Sequence, residues 1–305
     1  MEFVGRVKEK AALSHFLAAP GFGGAVVYGR RRLGKTSLIK EALKSFAGPA
    51  LFYQCLNSKV ESENVKGLLD VVRYFFPNVI LSEKSTFQEV LKALFILGEK
   101  KPLVLVLDEY PYLRDGDRTD SMIQSLIDSY KDTSSLKLIL CGSDVGIMKE
   151  VVDESHPLFG RMALKIKLSP FDYYDAALML PFASLEDKFR YYAVFGGVPY
   201  YLEQIKASAS FESNVKALLL EDFAPLENEI IGAIAAEFGK VANASFIMDD
   251  LAKGISRYQE LKSTFKDRTN GDFDYGLATL MAMELVVKNG TLNGKAKRSY
   301  YAIGG

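Results

Sequence analysis

Cysteine and histidine occur only twice each, the formal net charge is +0, and no apolar run reaches the length of a membrane span. Each shortage removes a class of protein. Two cysteines are too few for a disulfide-stapled scaffold or a cysteine-rich metal site. Cys55 and Cys141 both lie in apolar, strand-like runs and read as buried reduced thiols. His15 falls in the first helical stretch and His156 precedes a proline; no acid–serine constellation accompanies either, so neither reads as catalytic. A balanced charge supplies no global field toward nucleic acid or a membrane surface, and any such contact must come from a local patch. Met1-Glu2-Phe3-Val4-Gly5-Arg6 carries no signal-peptide core, so the expected compartment is the cytoplasm, with no membrane partner. What remains is ordinary for a globular protein: 305 residues, 49% hydrophobic and 25% charged, enough for two or three domains.

The most informative stretch is Val26-Val27-Tyr28-Gly29-Arg30-Arg31-Arg32-Leu33-Gly34-Lys35-Thr36-Ser37-Leu38-Ile39. It reads as a buried strand, then Gly-x-x-x-x-Gly-Lys-Thr, then an apolar helix start, which is the phosphate-binding loop in the context it requires. The glycines let successive N–H groups turn inward toward phosphate oxygens, and the positive end of the helix adds to the same field. Lys35 is expected to reach the β- and γ-phosphates, and the Thr36 hydroxyl to hold Mg²⁺. Arg30, Arg31 and Arg32 either screen phosphate charge, pair with acids on a lid, or in part form a solvated basic loop. A glycine-rich turn with a basic surface is the plainer alternative for the whole stretch. The strand before it and the helix after it favour a nucleotide.

Further strand-like runs at 51–55, 102–108, 136–141 and 164–168 alternate with helical periodicity at 37–46, 65–76, 85–97 and 120–130. That alternation predicts a three-layer α/β domain with a parallel sheet over residues 1–170. The run 164–168 alternates apolar and polar residues and so resembles a half-exposed edge strand. After Ser169-Pro170 the strands stop. Residues 171–240 read as consecutive helices, broken at Gly196-Gly197-Val198-Pro199, and are expected to form a helical lid. Over 241–305, helical runs precede two short strands separated by Asn289-Gly290 and Asn293-Gly294, hairpin-type turn signals that suggest a winged helix-turn-helix.

Asp108-Glu109 ends a run of consecutive apolar residues, 73 residues after Lys35. At a buried strand tip this fits a Walker-B pair, with Asp108 binding the Mg²⁺ held by Thr36 and Glu109 polarising an attacking water. Ser143 stands at the tip of the next strand, as a γ-phosphate or water contact or simply as a local turn residue. Arg161, just before the fifth strand, would be either a surface arginine or a finger toward a γ-phosphate, in cis or from a neighbouring subunit. Lys288, Lys295, Lys297 and Arg298 lie in the hairpin region, where no acid occurs; they suit phosphate contacts on double-stranded DNA, or solubility and edge protection.

In order along the chain, Phe3-Val4-Gly5-Arg6, the phosphate loop, Leu107-Asp108-Glu109-Tyr110-Pro111-Tyr112-Leu113, Leu140-Cys141-Gly142-Ser143, Pro157-Leu158-Phe159-Gly160-Arg161 and Gly196-Gly197-Val198-Pro199-Tyr200-Tyr201-Leu202 together resemble archaeal-type P-loop ATPases of the AAA+/STAND group, the MNS clade, themselves similar to Cdc6-type ATPases. The resemblance covers residues 1–240 well and the rest in outline. It implies the additional-strand class of P-loop fold, with the Ser143 strand between those of the loop and of the acid pair, and Ser143 as a sensor. It implies a site for ATP or ADP and Mg²⁺ in which Gly29 to Ser37, including Leu33 and Gly34, cradle the phosphates, Val4, Gly5 and Arg6 help enclose the adenine, and Pro199 packs on it from the lid. Arg161 gains weight as a finger, and Arg190 is a candidate lid sensor. Asp144 departs from the family pattern by placing an acid near the γ-phosphate. Relatives often continue into a nuclease-like domain; either this protein lacks it or the sequence is cut before it, and a nuclease function has no support in these residues. The resemblance implies a slow, nucleotide-driven conformational switch, alone, as a homo-oligomer or with a protein partner. The rival readings are a DNA-binding initiator-like factor using ATP as a conformational ligand and, less favoured, a small-molecule kinase.

Overall fold

The strand Leu103–Asp108 (β3) explains why the sheet lies at the centre of the protein. Side chains alternate faces along a strand, and here both faces are apolar: Leu103, Leu105 and Leu107 join one hydrophobic core, Val104 and Val106 the other. A computed structural model gives the arrangement for residues 3–57, 61–227, 244–269, 271–282, 285–290 and 299–304. The chain divides into two compact units, residues 1–211 and 212–305.

The first unit holds a five-stranded sheet in the order β2-β3-β4-β1-β5, where β1 is Gly23–Tyr28, β2 Ala50–Gln54, β4 Leu136–Gly142 and β5 Leu164–Lys167. Every pairing is parallel, so residues following the strands share one edge and residues preceding them share the other. As expected, β4 lies between β1 and β3, and the alternating β5 is an edge strand. Helices α1 (Val7–Ala18) and α2 (Lys35–Leu43) cover one face through Leu13, Phe16, Leu38 and Ile39. Helices α3 (Glu61–Phe75), α4 (Phe87–Lys100), α5 (Gly116–Tyr130) and α6 (Val145–Val151) cover the other through Leu68, Leu91, Leu94, Ile123 and Met148. Both cysteines are buried and free, Cys141 within β4 and Cys55 one residue past β2.

Beyond β5 come α7 (Tyr173–Leu178), α8 (Leu185–Phe195) and α9 (Pro199–Glu203). The first two are closed on each other. Phe171 N–H donates to the Gly197 carbonyl at 2.7 Å, and a Cβ on Gly197 would stand 1.8 Å from the Phe171 carbonyl oxygen. Only glycine allows that approach.

In the second unit, helices Ala244–Ala252, Tyr258–Arg268 and Phe273–Ala282 precede an antiparallel hairpin of β6 (Val286–Asn289) and β7 (Tyr300–Ile303). Ile247, Leu261, Phe265, Leu280, Val286 and Tyr301 form a core of their own. Lys288 is exposed on β6; Lys295, Lys297, Arg298 and the Asn293-Gly294 turn signal lie outside the described residues, as does part of the expected lid, 228–240. Among the described residues no helix is long and apolar enough to cross a membrane.

Candidate active site

The phosphate loop leaves β1 through a conformation that excludes side chains. Gly29 has φ 147°, and a Cβ there would meet the Leu168 carbonyl oxygen at 2.4 Å. Arg32 at φ 67° and Gly34 at φ 83° continue the curl into the first turn of α2. Lys35, the first residue of that helix, is buried and folds back over the loop, donating to the Gly29 and Arg30 carbonyls at 2.8 and 2.9 Å. Burial lowers the pKa of its ammonium, while the nearby Glu109 and Asp108 carboxylates oppose that shift.

Opposite the loop, the Thr36 hydroxyl donates to Asp108 Oδ2 at 2.8 Å. Asp108 Oδ1 accepts the Glu109 N–H at 3.1 Å. Glu109 itself sits in the left-handed region, φ 53° and ψ 46°, a conformation that costs a non-glycine residue on the order of 1 kcal/mol and persists where its surroundings hold it. Its carboxylate accepts the Ser143 hydroxyl at 2.8 Å and the Ser143 N–H at 3.1 Å. The two thiols nearby are inert: burial, then neighbouring Asp108, pushes Cys141 well above its ordinary pKa, and the same causes push Cys55 up to about 12.

Beside the loop, Val4, Arg6, Leu33, Phe171, Met179 and Pro199 line a cavity of about 420 Å³ that Gly34 and Ser37 join to the phosphate end. Gly5 and Arg6, at φ 68° and 53°, turn the N-terminal segment across it. The Arg6 guanidinium lies 4.4 Å from the Phe171 ring centre and donates to the Ser169 carbonyl at 2.5 Å. Its buried Nε has no hydrogen-bond partner among the described residues.

Other candidates stand elsewhere. Arg161 pairs with Asp128 at 2.6 Å on the last turns of α5, and its carbonyl oxygen lies 2.5 Å from the Cβ position of Gly24, near the start of β1. That is the edge opposite the loop, ~16 Å away along the strand. Asp144 caps α6, accepting the Ile147 N–H at 3.1 Å. Arg190 pairs with Asp187 and stacks on Phe211. Two of the loop arginines meet aromatic side chains: Arg32 lies 3.8 Å from the Tyr200 ring centre, and Arg31 donates to the Tyr112 hydroxyl at 3.0 Å. Phe171 and Met179 are cavity walls that the linear reading missed; their only signal is an apolar side chain flanking the first lid helix.

These residues fit ATP and Mg²⁺. A hydroxyl and a carboxylate are hard oxygen donors, and 2.8 Å matches the ~2.9 Å between neighbouring oxygens around an octahedral Mg²⁺. A cavity with apolar walls at Leu33, Phe171, Met179 and Pro199, charged walls at Lys40, Glu41 and Lys44, and an unsatisfied buried donor suits a heteroaromatic base.

With β4 inserted between the strand carrying the loop and the strand carrying the acids, the fold is that of a P-loop ATPase. The chain belongs to the archaeal ATPase family: residues 3–205 match the family described as an ATPase domain predominantly from Archaea. It is 27% identical over 305 residues to the uncharacterised protein MJECL04 of Methanocaldococcus jannaschii, covering 99% of this chain and 66% of that relative, so the chain spans just under two thirds of its length. Among solved structures, the Walker-type ATPase PABY2304 of Pyrococcus abyssi superposes with a TM-score of 0.72 at 19% identity, over 99% of this chain and 93% of that one. The Aeropyrum pernix ORC2 protein does so with a TM-score of 0.58 at 16% identity, over 99% and 90%. At those identities the likeness is one of fold.

Proposed function

We propose that the chain is a Mg²⁺-dependent ATP hydrolase acting as a molecular switch of the AAA+/STAND type. The observation that carries the reading is the cluster at the strand tips, where Thr36 bonds Asp108 and Ser143 bonds Glu109. Loop N–H groups and Lys35 bind the phosphates. Thr36 and Asp108 hold Mg²⁺, which supplies neutralising charge to the phosphates when bound. Glu109 takes the proton of the attacking water as general base. Ser143, now donating to Glu109, gains a competing acceptor when phosphate oxygens arrive, which makes it the sensor of nucleotide state. Val4, Gly5, Arg6 and Pro199 close on the adenine, so occupancy is felt by the lid. The Aeropyrum pernix ORC2 structure was obtained as ADPNP and ADP complexes, which supports the choice of an adenine nucleotide. Phosphate release from ATP with Mg²⁺ and no added acceptor separates this hydrolase from a kinase. Glu109→Gln is expected to keep ATP affinity and slow hydrolysis by roughly 100-fold or more; an unaltered rate refutes the assignment of the base.

The second unit supports a further reading, a winged helix-turn-helix that contacts DNA. Three helices followed by a hairpin with Lys288 exposed on it favour that reading. Duplex binding that weakens steeply with salt, and weakens further in a Lys288→Ala variant, is the expected result. No binding at low salt, with or without ATP, removes it.

A further inference from the structure

Asp120 lies on α5, is fully buried, and collects three side chains on one carboxylate. The Tyr110 hydroxyl donates to Oδ1. Arg114 Nε donates to Oδ2 at 2.5 Å, and His156 Nε2 stands 3.0 Å from the same oxygen. The Leu158 N–H donates to His156 Nδ1 at 3.3 Å, so the ring proton is assigned to Nε2, facing Asp120. Arg114 then reaches Glu150 on α6 at 2.8 Å and Asp117 at 3.5 Å. A buried carboxylate is tolerated when it is paired and hydrogen-bonded on all sides, and stripping away one partner is costly.

The cluster is anchored to both polar strand tips of the active site. Tyr110, itself fully buried, directly follows Glu109 and opens the tight turn Tyr110–Tyr112. In that turn Pro111 abuts β4, its Cδ 2.8 Å from the Cβ position of Gly142, the residue before Ser143. Glu150, gripped by the same arginine, rides on the helix that begins two residues after Ser143. The strained left-handed backbone of Glu109 is therefore followed at once by an aromatic side chain locked to a buried anion.

We propose that Asp120 and Tyr110 are positioning residues for ATP hydrolysis: the Tyr110–Asp120–Arg114 cluster holds Glu109 in its left-handed conformation and in register with Ser143. This rests on the reading of Glu109 as general base. Tyr110→Phe deletes one hydroxyl and leaves the ring in its pocket. In that variant kcat falls about tenfold, KM for ATP stays unchanged, and the loss vanishes in a Glu109→Gln background, because the tyrosine acts through that residue. Asp120→Asn keeps the shape and gives the same pattern, so one variant suffices if the other fails to fold. A second measurement needs no turnover. In nucleotide-free protein, amide hydrogen exchange over 109–113 and at Ser143 should quicken about tenfold in either variant. Equal loss of rate in the Glu109→Gln background, or a raised KM with kcat intact, overturns the inference, as does unchanged exchange whatever the activity. If the wild-type chain releases no phosphate from ATP, the hydrolase reading itself fails, and exchange alone reports whether the cluster holds the turn.

Discussion

The two edges of the five-stranded sheet bury polar groups in opposite styles. At the edge where the strands end, Lys35, Thr36, Asp108, Glu109 and Ser143 bond one another or the loop backbone, and Gly29, Arg32, Gly34 and Glu109 all hold positive φ. At the edge where the strands begin, Lys137 lies buried across Gly23, donates to the Gly21 carbonyl at 2.8 Å and faces the Phe16 ring. No carboxylate pairs with it among the described residues. Arg161 and Asp128 form a half-exposed pair at the same edge. One edge thus spends backbone strain on bringing unlike polar groups together, whereas the other tolerates single charges where packing leaves room. A buried charge alone does not mark a site; several buried and half-buried groups sharing hydrogen bonds at strand ends do.

The contrast can be broken most severely at Lys35. Lys35→Ala removes the charge that the loop is wrapped around and is expected to weaken ATP binding by roughly 100-fold in a direct titration; wild-type affinity would mean the polar edge is not a nucleotide site. Gly29→Ala tests the strain. With its Cβ against the Leu168 carbonyl it should cost at least about 2 kcal/mol by urea unfolding, whereas Gly34→Ala, where the Cβ meets open space, should cost about 1 kcal/mol.

At the opposite edge the expected sign reverses. Lys137→Met should stabilise the fold by about 1 kcal/mol at neutral pH, since burial alone lowers the pKa of this lysine. While both folded and unfolded states hold the proton, the penalty for burying the charge is complete. As pH rises through the lowered folded value toward about 10.4, the folded protein sheds its proton first and gains stability. The advantage of methionine should therefore shrink on the alkaline side, and a gap independent of pH would contradict this account. Arg161→Ala should matter least, leaving ATP affinity and turnover in dilute protein within about twofold of wild type. A loss of turnover that appears only as protein concentration rises would assign Arg161 to a neighbouring subunit's site.

Much of this was legible in the linear chain, for physical reasons. Gly-x-x-x-x-Gly-Lys-Thr between a strand and a helix admits few folds, and both faces of β3 had to be covered because 103–107 carries no polar residue. Alternation in Leu164–Lys167 already marked an edge. The position of Arg161 was also within reach: a residue just before a parallel strand lies at the edge away from the strand tips. Charge alone did not suggest the ring contact of Arg32, because a guanidinium stacks on an aromatic ring as readily as it finds a carboxylate. The Asp120 cluster left a fainter mark, an acid at helical spacing with Ile123 and Ile127 on the face that α5 buries. Its partners lie 10, 6 and 36 residues away, and no local pattern links them.

The contact between Phe171 and Gly197 ties residues 171 and 197 together, so α7 and α8 form a closed loop stapled at its base. Lengthening the exposed turn around Pro181 and Phe182 would change neither end of that loop. Within this scaffold the segment between the two helices is free to drift in length and composition, and new recognition surfaces can be grafted there while Pro199 keeps its distance from the phosphate loop.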